Sequence, residues 1–311
     1  MKPTLLRRAA ATFAVAALAF GAAACADDKE TPTGTPTSAA VAYPVTVGTV
    51  TLDAQPQKIV SLSPTTTEML FAIDAGKQVV AVDDQSNHPT GAPKTDLSGY
   101  QPNAEAIAAK NPDLVVLSND TNNIVSQLTT LKIPVYVAPA AATIDDTYKQ
   151  LTELGTLTGH PTEAAAEVQR MKDQIAKIIT SVPKRATPLT YYYELDPTFY
   201  SLTSKTFVGS LFAQLGLTNI ADGADAKGTG YPQLTAEAII KANPDLIFLA
   251  DTKCCGQSPE TVARRAGWAD LTAVTKNQVV ALDDDIASRW GPRVVDLLQT
   301  AADAVAKVPA N

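Results

Sequence analysis

The amino-acid sequence predicts an α/β fold in which two related lobes with mostly parallel sheets are joined by one long helix. Short runs of β-branched and aromatic residues alternate with helical segments, the pattern of parallel sheets covered on both faces. One motif occurs twice at a fixed offset, and an amphipathic segment separates the two copies. With 311 residues, 45% of them hydrophobic, the chain is long enough for about two globular domains.

Residues 1–24 predict an export signal. Lys2, Arg7 and Arg8 precede sixteen residues that are apolar or glycine, apart from Thr12. This order of charge and hydropathy is typical of a secretory signal, and a spanning helix would need about 20 apolar residues. We therefore expect the rest of the chain to be exported.

Cys25 follows three alanines, and this run resembles the lipobox of bacterial lipoproteins, in which the cysteine is lipidated. The resemblance implies a chain anchored by lipid to the outer face of the cell membrane. Cleavage near Ala24, with a free Cys25 thiol and a released protein, is the alternative. Residues 25–43 contain a polar stretch without large apolar residues at 27–38, which predicts a solvated tether.

Seven buried strands are predicted, four in a lobe at residues 44–160 and three in a lobe at residues 184–311. Each is a short, continuous apolar run of the kind found in a doubly covered sheet. The predicted strands are 59–62, 79–82, 114–117 and 135–137 in the first lobe, and 191–193, 246–249 and 279–282 in the second.

An internal repeat supports two related lobes. The residues Ala-Glu-Ala-Ile at 104–107 and Asn-Pro-Asp-Leu at 111–114 recur at 236–239 and 243–246, an offset of 132 residues in both cases. In each copy a short helix ends before a proline and a buried strand begins. Two copies with the same internal spacing indicate related lobes.

A helix is predicted over residues 161–183, between the lobes. Pro161 suits a first helical turn, and the apolar residues that follow recur at alternating intervals of three and four: Ala164, Val168, Met171, Ile175, Ile178 and Val182. A single helix is a stiffer connection than crossing strands. We therefore expect the opening between the lobes to be small.

These features together resemble the substrate-binding proteins of ABC importers for ferric siderophores, haem or cobalamin. Besides the repeat and the helix, the resemblance includes Ile-Val-Ser-Leu-Ser-Pro at 59–64, Thr67-Glu68, and Arg-Trp-Gly-Pro-Arg at 289–293. It implies two Rossmann-like lobes that hold a metal chelate or corrinoid, with no catalytic residues, bound metal or resident cofactor. The implied partner of this monomeric protein is an ABC permease dimer with its ATPase.

The resemblance also implies that Glu105 and Glu237, in the two copies of the repeat, are the permease-docking residues of the two lobes. Each is predicted in the first turn of a helix, where the helix dipole stabilises a carboxylate. The alternative is therefore that both residues only stabilise their helices.

Ligand contacts are expected on the loops that face the cleft, at 63–65, 83–100, 195–204, 222–233 and 283–290. The resemblance implies facing aromatics at Tyr100 and Tyr231 and a polar contact at Asp285. The same loops carry Phe199, Tyr200, Arg289 and Trp290, and aromatic faces bind large planar ligands well. Ordinary loop packing is the alternative for each residue.

The charge of the chain restricts the classes of partner and ligand that it can bind. The chain contains 25 Lys and Arg against 32 Asp and Glu, a net charge of −7, which argues against nucleic-acid binding. The cleft loops are rich in aspartate and contain few bases, whereas a triply anionic catecholate complex would need clustered Arg and Lys. The sequence therefore favours a neutral or cationic ligand, namely a ferric hydroxamate or a corrinoid.

Cys254 and Cys255 are adjacent and follow the strand at 246–249. We consider three states for this pair: a vicinal disulfide, two free thiols, or metal ligation. Outside the membrane a disulfide is chemically plausible.

Two other function classes are the alternatives to a binding protein. An exported lipoprotein hydrolase of the α/β class would need a nucleophile elbow, which Gly-Gln-Ser-Pro-Glu at 256–260 resembles only in part. A sensor or scaffold on the same fold would bind nothing in its cleft.

Overall fold

The computed structural model describes residues 41–309. The predicted signal segment, Cys25 and most of the predicted tether lie outside the described residues. Two four-stranded parallel sheets and one antiparallel hairpin form the β-structure of the described part. None of its helices combines the length and apolar character needed to span a bilayer.

The N-terminal lobe contains the hairpin and the first parallel sheet. Its strands are β1 (Val45–Val47), β2 (Val50–Leu52), β3 (Ile59–Leu62), β4 (Val79–Val82), β5 (Leu114–Leu117) and β6 (Val135–Val137). Its α-helices are α1 (Pro64–Ala72), α2 (Ala104–Ala108), α3 (Ile124–Thr130) and α4 (Ile144–Thr158). Short 3₁₀ turns lie at Ala75–Gln78 and Thr121–Asn123. The sheet order is β4-β3-β5-β6.

The long predicted helix is present as α5 (Pro161–Ser181) and leads from the first lobe to the second. Ala164, Met171, Ile175 and Ile178 are buried on one face, and Val168 and Val182 pack partly buried against the same core. The apolar face predicted from the spacing is therefore confirmed.

The C-terminal lobe contains the second parallel sheet. Its strands are β7 (Thr190–Glu194), β8 (Thr218–Asn219), β9 (Leu246–Leu249) and β10 (Val279–Ala281). Its α-helices are α6 (Phe207–Gln214), α7 (Ala236–Ala242), α8 (Thr252–Cys255), α9 (Pro259–Ala263), α10 (Thr272–Thr275), α11 (Asp284–Ala287) and α12 (Val294–Lys307). A 3₁₀ turn lies at Asp222–Ala224. The sheet order is β10-β9-β7-β8.

Both sheets have the same topology. Within each lobe the first strand lies between the second and the third, and the fourth lies beyond the third. The repeated aspartate also has the same role in both lobes. Asp113 accepts hydrogen bonds from the backbone N–H groups of Gln57 and Lys58, just before β3, and Asp245 accepts one from the N–H of Thr190, the first residue of β7.

One apolar core runs through both lobes. It contains Leu70 of α1, Leu154 of α4, Met171 of α5, Phe212 of α6 and Leu298 of α12. Because close-packed cores resist deformation, this continuity agrees with a small opening between the lobes.

All seven predicted strands are present, but β1, β2 and β8 were not predicted. The sequences of these strands are Val-Thr-Val, Val-Thr-Leu and Thr-Asn, so none of them is the continuous apolar run by which the other strands were predicted. The second lobe consequently has four strands where the sequence analysis expected three.

Candidate functional site

A pocket of about 230 Å³ lies where the carboxyl end of the N-terminal sheet faces the C-terminal lobe. Ligands of open α/β sheets bind at the carboxyl ends of the strands, at the point where the strand order reverses. Here that place is between β3 and β5. Its lining includes Leu62, Ser63, Ser118 and Asn119 from these strand ends, and Asp285, Ser288, Arg289 and Trp290 from the other lobe.

Asp83 lines the pocket from the N-terminal lobe and is only 2% exposed. The hydroxyl of Ser86 donates a hydrogen bond to its carboxylate, and the hydroxyls of Ser86 and Thr67 lie 2.9 Å apart. Burial raises the pKa of Asp83, although the Ser86 hydrogen bond opposes this rise. The N-terminal lobe therefore contributes an acidic side chain to the pocket, and the hydroxyls of Ser86 and Thr67 hold it in place.

Three of the predicted ligand aromatics are exposed. Tyr100, Tyr231 and Tyr200 are 76%, 51% and 41% exposed, respectively. Tyr100 lines the pocket. An antiparallel backbone bridge joins Tyr200 to Gln233, so the loop of Tyr200 lies beside the loop that carries Tyr231. Exposed aromatic side chains with apolar faces are typical of binding surfaces.

Gly99 allows the Tyr100 loop to approach β3 closely. A Cβ atom at this position would lie 2.6 Å from the carbonyl oxygen of Leu62, closer than van der Waals contact permits. A larger residue at this position would therefore require the loop at Gly99 or the end of β3 to shift.

Phe199 packs within the C-terminal lobe instead. Its ring stacks on that of Trp268 with the centroids 5.7 Å apart, and the Arg265 guanidinium lies 5.6 Å from its centroid. We therefore assign Phe199 to packing and leave it out of the proposed ligand site.

Arg289 connects the two lobes at the pocket. Its guanidinium donates to the Glu68 carboxylate at 2.7 Å and to Asp285 at 3.1 Å. Arg293 donates to both oxygens of Glu68, at 2.6 and 2.9 Å. Glu68 and Arg289 are only 4% and 9% exposed, so this cluster of two guanidiniums and one carboxylate is largely withdrawn from water.

Trp290 strengthens the same contact between the lobes. Its indole N–H donates to the Gln150 side chain at 2.9 Å, and its carbonyl accepts from the Thr147 hydroxyl at 2.8 Å. Both partners are on α4 of the N-terminal lobe. One face of Trp290 thus belongs to the interface between the lobes, although the residue also lines the pocket.

Asp285 is held from both lobes. Lys253 donates to it at 2.7 Å, and Asn87 of the N-terminal lobe donates at 3.0 Å. Burial would raise the pKa of Asp285, but the hydrogen bonds from Lys253 and Asn87 and the charge of Arg289 outweigh it and lower that pKa. Asp285 is therefore a carboxylate at neutral pH.

A buried acidic pair occupies the equivalent place in the C-terminal lobe, between the ends of β7 and β9. Arg265 binds both oxygens of Glu194, at 2.5 and 2.6 Å, whereas neither oxygen of Asp251 receives a hydrogen bond from the described residues. Burial, and next the charge of Glu194, raise the pKa of Asp251 to about 7. Asp251 therefore binds a proton far more tightly than an ordinary aspartate does.

Glu105 and Glu237 occupy equivalent positions. Each is in the first turn of a short helix, α2 or α7, behind a side-chain N-cap supplied by Asn103 or Thr235. Both are exposed, and within residues 41–309 neither carboxylate has a hydrogen-bond or ion-pair partner.

The cysteine pair forms a disulfide between adjacent residues, Cys254 and Cys255, at the end of α8. The nearby Ser258 caps α9, and its hydroxyl donates to Glu260 at 2.7 Å. Because Ser258 follows a helix and a loop rather than a strand, it does not occupy a nucleophile elbow.

Several residues of the site were not assigned by sequence analysis. Glu68 and Arg293 lie in the motifs Thr67-Glu68 and Arg-Trp-Gly-Pro-Arg at 289–293, which assigned them no role. Asn87, Gln150 and Lys253 lie in no recognisable motif. Their partners are far away in the chain; Glu68 and Arg289, for example, are 221 positions apart. Only the fold brings such residues together.

The chain resembles proteins of one known family. A family model described as periplasmic binding protein matches residues 59–286. A protein of Halobacterium salinarum named cobalamin-binding protein is 32% identical over 82% of this chain and 71% of its own length. A Bacillus subtilis protein named ABC transporter substrate-binding lipoprotein is 29% identical over 85% of this chain and 86% of its own. The solved periplasmic vitamin B12 binding protein of Vibrio cholerae is 25% identical, with a TM-score of 0.66 over 80% of this chain and 96% of its own.

Proposed function

The chain belongs to the periplasmic binding protein family, and we propose that it captures a corrinoid outside the cell membrane and delivers it to an ABC permease. The observation that carries this proposal is the exposed ring of Tyr100 in the lining of an acidic pocket, and Tyr231 is a second exposed tyrosine, on a loop of the other lobe. The names of its relatives support a corrinoid in particular.

The geometry suits a ligand with large flat faces. A corrinoid is larger than the pocket of about 230 Å³, so only its edge would enter while its faces rest on the tyrosines. Aromatic rings provide such contact area with little loss of side-chain entropy. Asp285 would supply a polar contact at the inner edge.

The charges argue against an anionic chelate. Among residues 41–309, Arg289 is the one base that lines the pocket. Glu68, Asp285, Asn87 and the Gln85 carbonyl already accept hydrogen bonds from it. A triply anionic ligand would therefore meet Asp83 and Asp285 without a free cation. A neutral or cationic chelate meets no such penalty.

The proposed mechanism involves binding and release, with no bond made or broken. Ligand and permease would each favour one of two closely similar arrangements of the lobes. The shared core and the Glu68–Arg289 contact limit how far these arrangements differ. Docking would need to disturb the contacts of Asp285 and Trp290 for the ligand to leave.

The proposed location and partner complete this function. Lipidation of Cys25 would hold the protein at the outer face of the membrane, and Glu105 and Glu237 would each meet a basic residue of the permease dimer, whose ATPase drives uptake. The exposed, unpartnered carboxylates support this assignment, and the lipoprotein name of the Bacillus relative supports the anchor.

A thermal-shift panel tests the proposal. Cyanocobalamin, a ferric hydroxamate, haem and a ferric catecholate are each added at increasing concentration, and a ligand at 100 times its Kd should add about 2.7 kcal/mol of stability. We expect cyanocobalamin to give the largest shift and the catecholate none. A shift with the catecholate alone would contradict the charge argument, and no shift with any ligand would favour a sensor or scaffold.

A further inference from the structure

The Cys254–Cys255 disulfide does not act as a structural crosslink. Its two residues are adjacent, whereas a disulfide stabilises a fold mainly by closing a long loop in the unfolded chain. Both residues are also exposed, so a thiol in solution can reach them. The effect of this disulfide must be local, on the backbone of α8 and on whatever α8 contacts.

The helix α8 contacts the acidic segment 283–285, which consists of the N-cap and the first two residues of α11. The backbone N–H groups of Lys253 and Cys254 both donate to one oxygen of Asp284 at 2.9 Å. The N–H and hydroxyl of Thr252 donate to its other oxygen at 2.9 and 2.7 Å. The conformation of α8 therefore determines the position of Asp284.

The same segment reaches the ligand pocket through Lys253. Its ammonium group donates to Asp283 at 2.6 Å and to Asp285 at 2.7 Å. Asp285 lines the pocket and accepts from Asn87 of the other lobe. A continuous series of hydrogen bonds thus connects the residues at the disulfide with the pocket and with the contact between the lobes.

We propose that Cys254–Cys255 is a redox-modification site, and that its reduction by a protein dithiol or a low-molecular-weight thiol outside the membrane weakens ligand capture. The effect on capture rests on the proposed function. A thiolate of the reductant attacks one Sγ atom, the Sγ–Sγ bond breaks, and a mixed disulfide forms. A second thiol then releases the cysteine, so that the protein gains two electrons and two protons while two reductant thiols become a disulfide.

Reduction opens the small ring that the disulfide makes with the backbone between residues 254 and 255. Those residues can then adopt other backbone conformations, and the N–H of Cys254 is no longer held towards Asp284. Loss of that alignment makes the segment 283–285 more mobile, and Asp285 is then held less firmly at the pocket. We expect the affinity for cyanocobalamin to fall about tenfold, equivalent to the loss of one charged hydrogen bond.

The test uses two readouts on the same samples, prepared with and without a dithiol reductant. Intact mass establishes reduction through the gain of two hydrogen atoms. Hydrogen exchange over residues 283–289 of the ligand-free protein measures the mobility of this segment, and titration with cyanocobalamin measures capture. The Cys254→Ser/Cys255→Ser double variant is the control; it should behave like the reduced protein and should not respond to the reductant.

On reduction of the wild-type protein we expect faster exchange at 283–289 and about tenfold weaker binding of cyanocobalamin. The double variant should show fast exchange and weak binding both with and without the reductant. The proposal is wrong if the folded protein resists reduction, or if complete reduction changes neither exchange nor affinity. Redox-dependent exchange without cyanocobalamin binding in either state would support the modification site and contradict the proposed function instead.

Discussion

The Arg289 guanidinium of the C-terminal lobe lies 2.7 Å from the Glu68 carboxylate of the N-terminal lobe, and both side chains are buried. Arg293 binds the same carboxylate, and the hydrogen bond to Glu68 raises the pKa of Arg293 above its ordinary value. Glu68 is therefore the shared counter-ion of two guanidiniums of the opposite lobe at the edge of the pocket, and Asp285 is a second counter-ion of Arg289.

Replacing Glu68 should be strongly destabilising. Glu68→Gln leaves both guanidiniums without their shared counter-ion in a buried place, and removal of one partner from such a cluster costs about 3 kcal/mol or more. Urea unfolding measures this loss. Lys149→Ala is the control, because it removes an exposed ion pair with Glu153 and should cost less than about 1 kcal/mol. Equal losses in the two variants would mean that the cluster does not hold the lobes together.

Tyr100→Ala combined with Tyr231→Ala should weaken ligand binding while leaving the fold intact. Both side chains are exposed and contribute little to the core, whereas their rings would contact the ligand. We expect a loss of about 1 to 3 kcal/mol in binding free energy by calorimetry. Leu131→Ala, which removes another exposed apolar side chain, should leave affinity unchanged. A falling melting temperature with unchanged affinity would identify the tyrosines as packing residues.

Stability should fall as the pH rises through neutrality because of Asp251. Its pKa of about 7 in the folded protein lies above the ordinary value of 3.8, so the folded state binds a proton more tightly than the unfolded state. The resulting stability is fully present below about pH 4 and is lost as the pH rises through about 7. The free energy of unfolding should fall by up to about 4 kcal/mol over this pH range.

Asp251→Asn supplies the control for this pH dependence. Its side chain does not titrate, so the unfolding free energy of the variant, measured in urea between pH 4 and pH 8, should decline less than that of the wild type. Glu194, Arg265 and Tyr192 surround this carboxyl group and are present in both proteins. Parallel pH profiles would show that Asp251 does not hold the proton.

Reversing the charge of Glu105 and Glu237 to Arg should abolish uptake while ligand affinity stays within about twofold. Charges at the rim of an interface affect docking and orientation more than they affect a separate binding site. The Asp173→Arg/Asp303→Arg variant carries the same change of charge on exposed positions of α5 and α12 and should transport normally. Normal uptake by the Glu105 and Glu237 variant would leave these residues as helix-start carboxylates only.

Cys25→Ala should move the protein from the membrane fraction to the soluble fraction without changing ligand affinity. The lipid would lie at the start of a polar tether, separate from the residues that form the pocket. Cell fractionation followed by immunoblotting measures the distribution. A variant that stays on the membrane would indicate that another segment holds the chain there.

Local patterns in the sequence were sufficient to predict seven strands of the two parallel sheets and the helix between the lobes, but not β1, β2 and β8. The strands at 59–62 and 246–249 are continuous apolar runs, and the face of α5 follows from intervals of three and four. The repeat predicted two related lobes, because the same residues at the same spacing form the same helix, turn and strand. These features depend on neighbouring residues, whose geometry is set by the helical and strand periods.

The tertiary structure decided how the site is assembled. The sequence placed Arg289, Trp290 and Phe199 on cleft loops, but only the fold showed that Arg289 neutralises Glu68, that Trp290 binds α4, and that Phe199 stacks on Trp268. The same holds for the raised pKa of Asp251 and for the hydrogen bonds that connect residues 252–254 with Asp284 and Asp285. Burial and long-range hydrogen bonds determine these properties, and both arise only when distant segments of the chain pack together.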